Sequence, residues 1–183
     1  PKLVLDWRRD TARLNVVQEQ IDIGVRIGHL ADSRLIARKI GETCEKIVMA
    51  PDLLRRLGKP KDFADLQKNY PLAAVLNHNN GRADTWYINE NLQFTPAKPH
   101  FVGSHIHNAL QAALAGNAVS QQLDWMVAPY LLNGELVELF AEVPKIRWPV
   151  SIYRPQRVVT PMRVKVVFDL LAGILGKRFE LPA

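Results

Sequence analysis

The segment Val102-Gly103-Ser104-His105 combines the residue types in this sequence best suited to holding a ligand. It leads from apolar, strand-like residues into an Ala- and Leu-rich stretch, Asn108 to Ala115, that reads as a helix ended by Gly116. The first N–H groups of a helix have no partner within it, so such a junction favours an anion or a polar ligand atom. Ser104 is equally suited to capping the helix, with its hydroxyl turned to the backbone. Hydrolysis is a poor fit, because Gly103-Ser104-His105 lacks the Gly-x-Ser-x-Gly elbow. His105 and His107 invite a metal reading. Their spacing is not the helical i, i+4 pair, and no cysteine or carboxylate lies close in sequence, so the ligand set is incomplete.

Other candidates are more scattered. Arg26 stands near the end of a strand-like run, Ile21 to Gly28, that Gly28 closes. Its guanidinium fork suits bidentate contact with a carboxylate, either a ligand's or, the preferred reading, that of an acidic neighbour. Gln121 and Gln122 are adjacent in a predicted strand, so their side chains point to opposite faces. One of them could offer an amide to a ligand; alternatively both are edge-exposed or satisfied locally. Trp125 opens a predicted helix to Leu132 and reads as core, with stacking on a ligand as the other reading. Cys44 is the single cysteine. It allows no internal disulfide and no thiolate cluster, and a reducing cytosol fits best. It reads as a small half-buried hydrophobe just before a strand.

These residues must be positioned by alternating strands and helices. The spacing predicts strands over 3–7, 21–28, 35–40, 46–50, 72–76, 85–88, 100–102, 118–122, 135–140 and 149–153. It predicts helices from Asp10 or Thr11 to Ile21, over Asp52–Leu57 with Pro51 in the first turn, over 61–66, 108–115 and 125–132, and from Pro161 with Thr160 as cap. Asp32-Ser33 and Asn80-Gly81 read as turns. Val164, Phe168, Leu171 and Leu175 share one helix face. The alternation argues for α/β architecture with a mostly parallel sheet. The texture changes near Tyr70-Pro71 and again near 149–155, which suggests two lobes joined by two crossings, with a ligand cleft between them.

Composition sets limits. The 183 residues are 48% hydrophobic and 23% charged, enough for a sizeable core and unlike a disordered chain. No apolar run reaches the roughly 18 residues of a spanning helix, and the start of the sequence does not read as a signal peptide. The net charge is +6, and from Ser151 onward six basic residues face two acidic ones. No helix-turn-helix or zinc-finger pattern accompanies them, so a solvated basic face is the preferred reading over direct DNA contact.

The order of motifs resembles the effector-binding domain of LysR-type transcriptional regulators over nearly the whole chain. The resemblance is carried by Ile21-Asp22-Ile23-Gly24-Val25-Arg26-Ile27-Gly28, Asp32-Ser33-Arg34-Leu35-Ile36-Ala37-Arg38-Lys39-Ile40-Gly41, and Ala50-Pro51 with Leu53-Leu54. Gly58-Lys59-Pro60 to Asp65-Leu66, Ala112 to Gly116, Asp124 to Pro129, Gly134 to Val137 and Thr160-Pro161 to Leu171 follow in order. Three places depart from the pattern. Gly116-Asn117-Ala118 replaces Gly-x-Gly, Val119-Ser120-Gln121-Gln122-Leu123 replaces an apolar strand and proline, and Ala50 stands where a serine is usual.

The resemblance implies an α/β, two-lobed fold similar to type 2 periplasmic binding proteins, with two crossover segments. Residues 1–71 and 152–183 would form lobe I, and 72–151 lobe II. It implies a cytoplasmic, non-enzymatic sensor that needs no cofactor and no membrane. A small polar or anionic effector would bind between the lobes at Ser104, His105, Arg26, Gly28, Gln121, Gln122 and Trp125. Binding would alter the geometry of a homodimer or tetramer. DNA would be contacted only through a winged helix-turn-helix head outside this chain. The usual first strand and helix of lobe I, roughly 25–30 residues of an ordinary domain, are also expected outside it. The alternative is a free type 2 solute-binding protein of a transport system.

Overall fold

The computed structural model describes residues 3–6, 8, 20–30, 34–156 and 159–179. In chain order the elements are β1 (Gly24–Ile27), β2 (Leu35–Met49), α1 (Pro51–Leu57), α2 (Phe63–Asn69), β3 (Leu72–Asn77), β4 (Arg82–Ala83), β5 (Trp86–Asn89) and β6 (Leu92–Phe94). There follow β7 (Phe101–Gly103), α3 (Ile106–Leu114), β8 (Val119–Leu123), α4 (Asp124–Leu132), β9 (Val137–Leu139), β10 (Arg147–Pro155) and α5 (Met162–Phe179). The chain forms two compact units, 1–43 with 147–183, and 44–146.

In the first unit β1 runs antiparallel to β10, with Gly24 opposite Tyr153 and Ile27 opposite Val150. β10 lies between β1 and β2. Val164, Phe168 and Ala172 recur along one face of α5, the helical period, and are buried. Phe168 and Ala172 pack on Ile40, Val150 and Ile152, with Leu171 and Leu175 beside them, which is the face expected from the sequence. Thr160 does not cap the helix. Its hydroxyl accepts from Arg154 at 3.1 Å, and the Pro161 carbonyl takes the first helical N–H groups instead.

In the second unit β9, the end of β2, β8, β3 and β7 are neighbours in that order. Helices α3 and α4 cover one face through Val48, Leu110, Ala113, Met126, Val127 and Leu136. The other face carries α1, α2 and the β5–β6 hairpin over Ile47, Met49, Leu53, Leu66, Trp86 and Val119. Alternate residues of β2 and β8 therefore feed two different cores. Each fully buried aliphatic side chain there contributes about 1.5–3 kcal/mol. Local signals set the helix ends. Pro51 begins α1, Gly58 stops it at φ +78°, and the Asp62 carboxylate caps α2 by accepting from Asp65 N.

The structure corrects several expectations. The sheet is mixed rather than mostly parallel. β3 is parallel to β7 and β8, whereas β2 is antiparallel to β8 and β9. Residues 35–40 and 46–49 belong to one continuous strand, because no proline interrupts it, and Ala50 lies just past its end as the N-cap of α1. Leu3 to Asp6 lie outside any strand; Trp7, the helix expected before Ile21 and the Asp32-Ser33 turn lie outside the described residues. The two units divide at 43/44 and 146/147 rather than at 71/72 and 151/152. The reason is packing: Leu53, Leu66 and Tyr70 share one core with Leu72 and Trp86, so α1 and α2 cannot be separated from the strands that follow. Among the described residues, no helix is long and apolar enough to cross a membrane.

Candidate functional site

Parallel strands leave their carboxyl ends side by side, and ligands of α/β sheets sit beyond those ends. In the second unit Val75 is in register with Gly103, and Ala73 with Ser120. The residues just past β3, β7 and β8 are therefore His78, Ser104 with His105, and Asp124 with Trp125. Helix α3 starts here. A side chain at Gly103 would place its Cβ 2.5 Å from Asn108 Cβ, so glycine alone lets the first turn of α3 settle on the end of β7.

The cap of α3 is His105, not Ser104. His105 has extended backbone, its Nδ1 accepts from His107 N at 3.2 Å, and its carbonyl accepts from Asn108 N at 2.9 Å. The His105 and His107 rings are tilted together with centroids 5.1 Å apart. Ser104 is exposed, and its backbone carbonyl accepts from His78 Nε2 at 3.4 Å. His78 thus joins the site, although its sequence context, Asn77-His78-Asn79 at a strand end, reads as an ordinary turn. Among the described residues, no group of three His, Cys, Asp or Glu is placed to hold a metal.

Gln121 and Gln122 do face opposite sides of β8, as the period of two requires. Neither is at an edge, because β8 is held between β2 and β3. Gln121 Nε2 donates to the Tyr87 carbonyl at 2.9 Å, and the residue borders a water-sized cavity of about 10 Å³ with Glu45, Phe63, Phe140 and Lys145. Gln122 is fully buried under α3. Its Nε2 donates to Ser120 Oγ at 2.6 Å and to the Ile106 carbonyl at 3.3 Å. Its Oε1 is buried with no hydrogen-bond partner among the described residues. An unmet acceptor of this kind costs about 1–3 kcal/mol unless a donor reaches it.

The remaining candidates are held in other ways. Trp125 packs against the α3–α4 core, and its N–H on the backbone donates to Asp124 Oδ1 at 2.7 Å. Cys44 lies inside β2, buried, with its Sγ donating to Asp124 Oδ2 at 3.4 Å. Arg26 and Gly28 belong to the first unit. Arg26 stands opposite Ser151 and forms no ion pair with a described residue, so the acidic neighbour expected for it is not found there. Gly28 turns the chain at φ +97° and donates its N–H to the Pro149 carbonyl at 2.8 Å, a backbone role that leaves no side chain to contact anything. A depression of about 420 Å³ is found elsewhere in the second unit, between Pro51, Asp52, Arg55, Gly116, Gly134 and Glu135.

Comparison with known proteins gives the family and the fold. The family described as LysR substrate binding domain matches residues 1–175. An HTH-type transcriptional regulator of Xanthomonas campestris pv. campestris is 25% identical over 181 residues, covering 96% of this chain and 52% of that protein. The HTH-type transcriptional regulator CrgA of Neisseria meningitidis is 26% identical over 180 residues, covering 96% of this chain and 58% of its own. The solved regulatory domain of CrgA superposes with a TM-score of 0.75 at 23% identity, over 91% of this chain and 81% of that one, which shows the shared periplasmic-binding-protein-like fold. This chain spans just over half the length of these two curated relatives.

Proposed function

We propose that this chain, which belongs to the LysR substrate binding domain family, senses a small polar or anionic metabolite for a cytoplasmic transcription regulator. The relatives matched over most of this chain are HTH-type regulators, which favours this reading over a free solute-binding protein of transport. In this reading the DNA-reading head belongs to the part of the regulator beyond this chain, and the regulator works as a dimer or tetramer. The effector shifts that assembly only by its different affinity for two states.

The observation that carries the proposal is the polar end of α3. An exposed Ser104, the His105 cap, His78 and the buried amide of Gln122 converge there, where the parallel strands end and a helix N-terminus favours negative charge. The guanidinium fork of Arg26, which forms no ion pair with a described residue, suits the same class of ligand in the first unit. A thermal-shift screen of small carboxylates, phosphates, sugars and apolar compounds tests the reading. Carboxylates or phosphates are expected to raise Tm; a response to apolar compounds alone would overturn it.

A further inference from the structure

The second unit holds a charge cluster that the sensing site does not use. Glu138 on β9 is paired through the ladder with Val48 of β2, so its side chain leans toward that of Lys46. Lys46 Nζ lies 2.6 Å from Glu138 Oε2, and Lys145 Nζ lies 2.8 Å from Glu138 Oε1. One carboxylate thus holds two ammonium groups, one on each of its oxygens. All three side chains are largely withdrawn from solvent, Glu138 to 15% exposure.

Lys145 does more than pair. Its ammonium also donates to the carbonyls of Phe140, Ala141 and Val143 at 3.3–3.4 Å. The turn after β9 is wrapped around this one cation. Phe140 takes φ +54° to make that turn, a left-handed backbone that costs a bulky residue energy and persists only when its surroundings enforce it.

The location of these residues gives the cluster its meaning. The chain enters the second unit at Cys44 and leaves it at Ile146. Lys46 sits just past the entry, and Lys145 just before the exit. We propose that Glu138 is a positioning residue that fastens the incoming and outgoing segments to each other, and so sets how stiffly the second unit is held by its two connections. The consequence for signalling rests on the effector reading above: a stiff pair of connections passes a ligand-induced movement on, and a loose pair absorbs it.

The charges acting on Glu138 come from Lys145 on the turn and Lys46 on β2, and the neighbour across from Lys46 on β8 is the neutral Gln122. Burial pushes the carboxyl up, but the bonds from the two lysines outweigh it and hold Glu138 below its ordinary value of 4.5. Its contribution is therefore complete above about pH 4.5 and is lost as pH falls through the lowered value.

The test needs no ligand, so its failure is distinct from failure of the effector reading. Amide hydrogen exchange on Glu138→Gln is expected to run about tenfold faster than wild type over 140–147, with α3 and β8 changed by less than twofold. Spin labels at the exposed Asn79→Cys and Arg163→Cys, with buried Cys44 left in place, are expected to give a distance distribution about twice as wide in Glu138→Gln. Lys145→Met, which keeps the Lys46–Glu138 pair, is expected to reproduce both effects more weakly, and serves alone if Glu138→Gln does not fold. Below about pH 4.5 the difference between wild type and Glu138→Gln is expected to shrink. An unchanged width, or exchange that accelerates uniformly over 44–146, would overturn the proposal and leave Glu138 as ordinary packing.

Discussion

The two ends of α3 are built on the same kind of residue for opposite reasons. At its start, Gly103 is needed because a Cβ would collide with Asn108. At its finish, Gly116 is needed because the backbone turns at φ +68°, while a Cβ there would meet neighbours only at 3.8 Å or more. The finish is chemically closed. The Gln111 carbonyl accepts from Ala115 N, that of Ala113 from Gly116 N and that of Ala112 from Asn117 N, and the Gly116 carbonyl accepts from Arg56. The start carries an exposed serine, two histidines and a buried amide oxygen with no partner among the described residues. A depression of about 420 Å³ lies at the closed end. Volume and chemistry therefore point to different places, and unmet hydrogen-bonding capacity is the better guide to where a polar ligand gains affinity.

Substitutions at the two ends sharpen this contrast. Gly103→Val, which overpacks the start, is expected to lower Tm by about 4–8 °C in thermal unfolding. Gly116→Ala, which meets only backbone strain, is expected to lower it by about 2–4 °C. Arg56→Gln removes a charged donor from the closed end and is expected to cost about 1 kcal/mol by urea titration, with ligand-induced stabilisation unchanged. Gln122→Met discards the unmet oxygen together with the bonds to Ser120 and Ile106, so its stability is expected within about 1 kcal/mol of wild type. Its ligand response is expected to fall. Ser104→Ala is the mildest change, within about 0.5 kcal/mol in stability, yet it is expected to weaken ligand-induced stabilisation several-fold. Loss of soluble Ser104→Ala protein would mean that the open end is structural after all.

Much of this was legible in the residues. Pro51 and Gly58 bound α1 as expected, and the face of α5 follows from its helical period. The opposite orientation of Gln121 and Gln122 follows from strand geometry alone. Their burial does not, because it depends on β8 lying between β2 and β3, partners distant in sequence. The cap moved from Ser104 to His105 for a similar reason: one residue of helix start is decided by how closely Asn108 approaches Gly103. Glu138 was the hardest to read. It alternates with apolar residues and looks like a solvated strand position, but its partner Lys46 is 92 residues away. Residues 44–71 gave no local sign that their apolar side chains would join the core of the strands that follow.

The most direct test of the open end is an amide NMR titration of the chain with the carboxylate or phosphate that most raises its Tm. The largest shifts are expected on the backbone amides of residues 104–108 and on the side-chain amide of Gln122, and they are expected to vanish in Ser104→Ala. Shifts concentrated instead on Asp52, Arg55, Gly116, Gly134 and Glu135 would contradict it, and would assign binding to the depression at the closed end of α3.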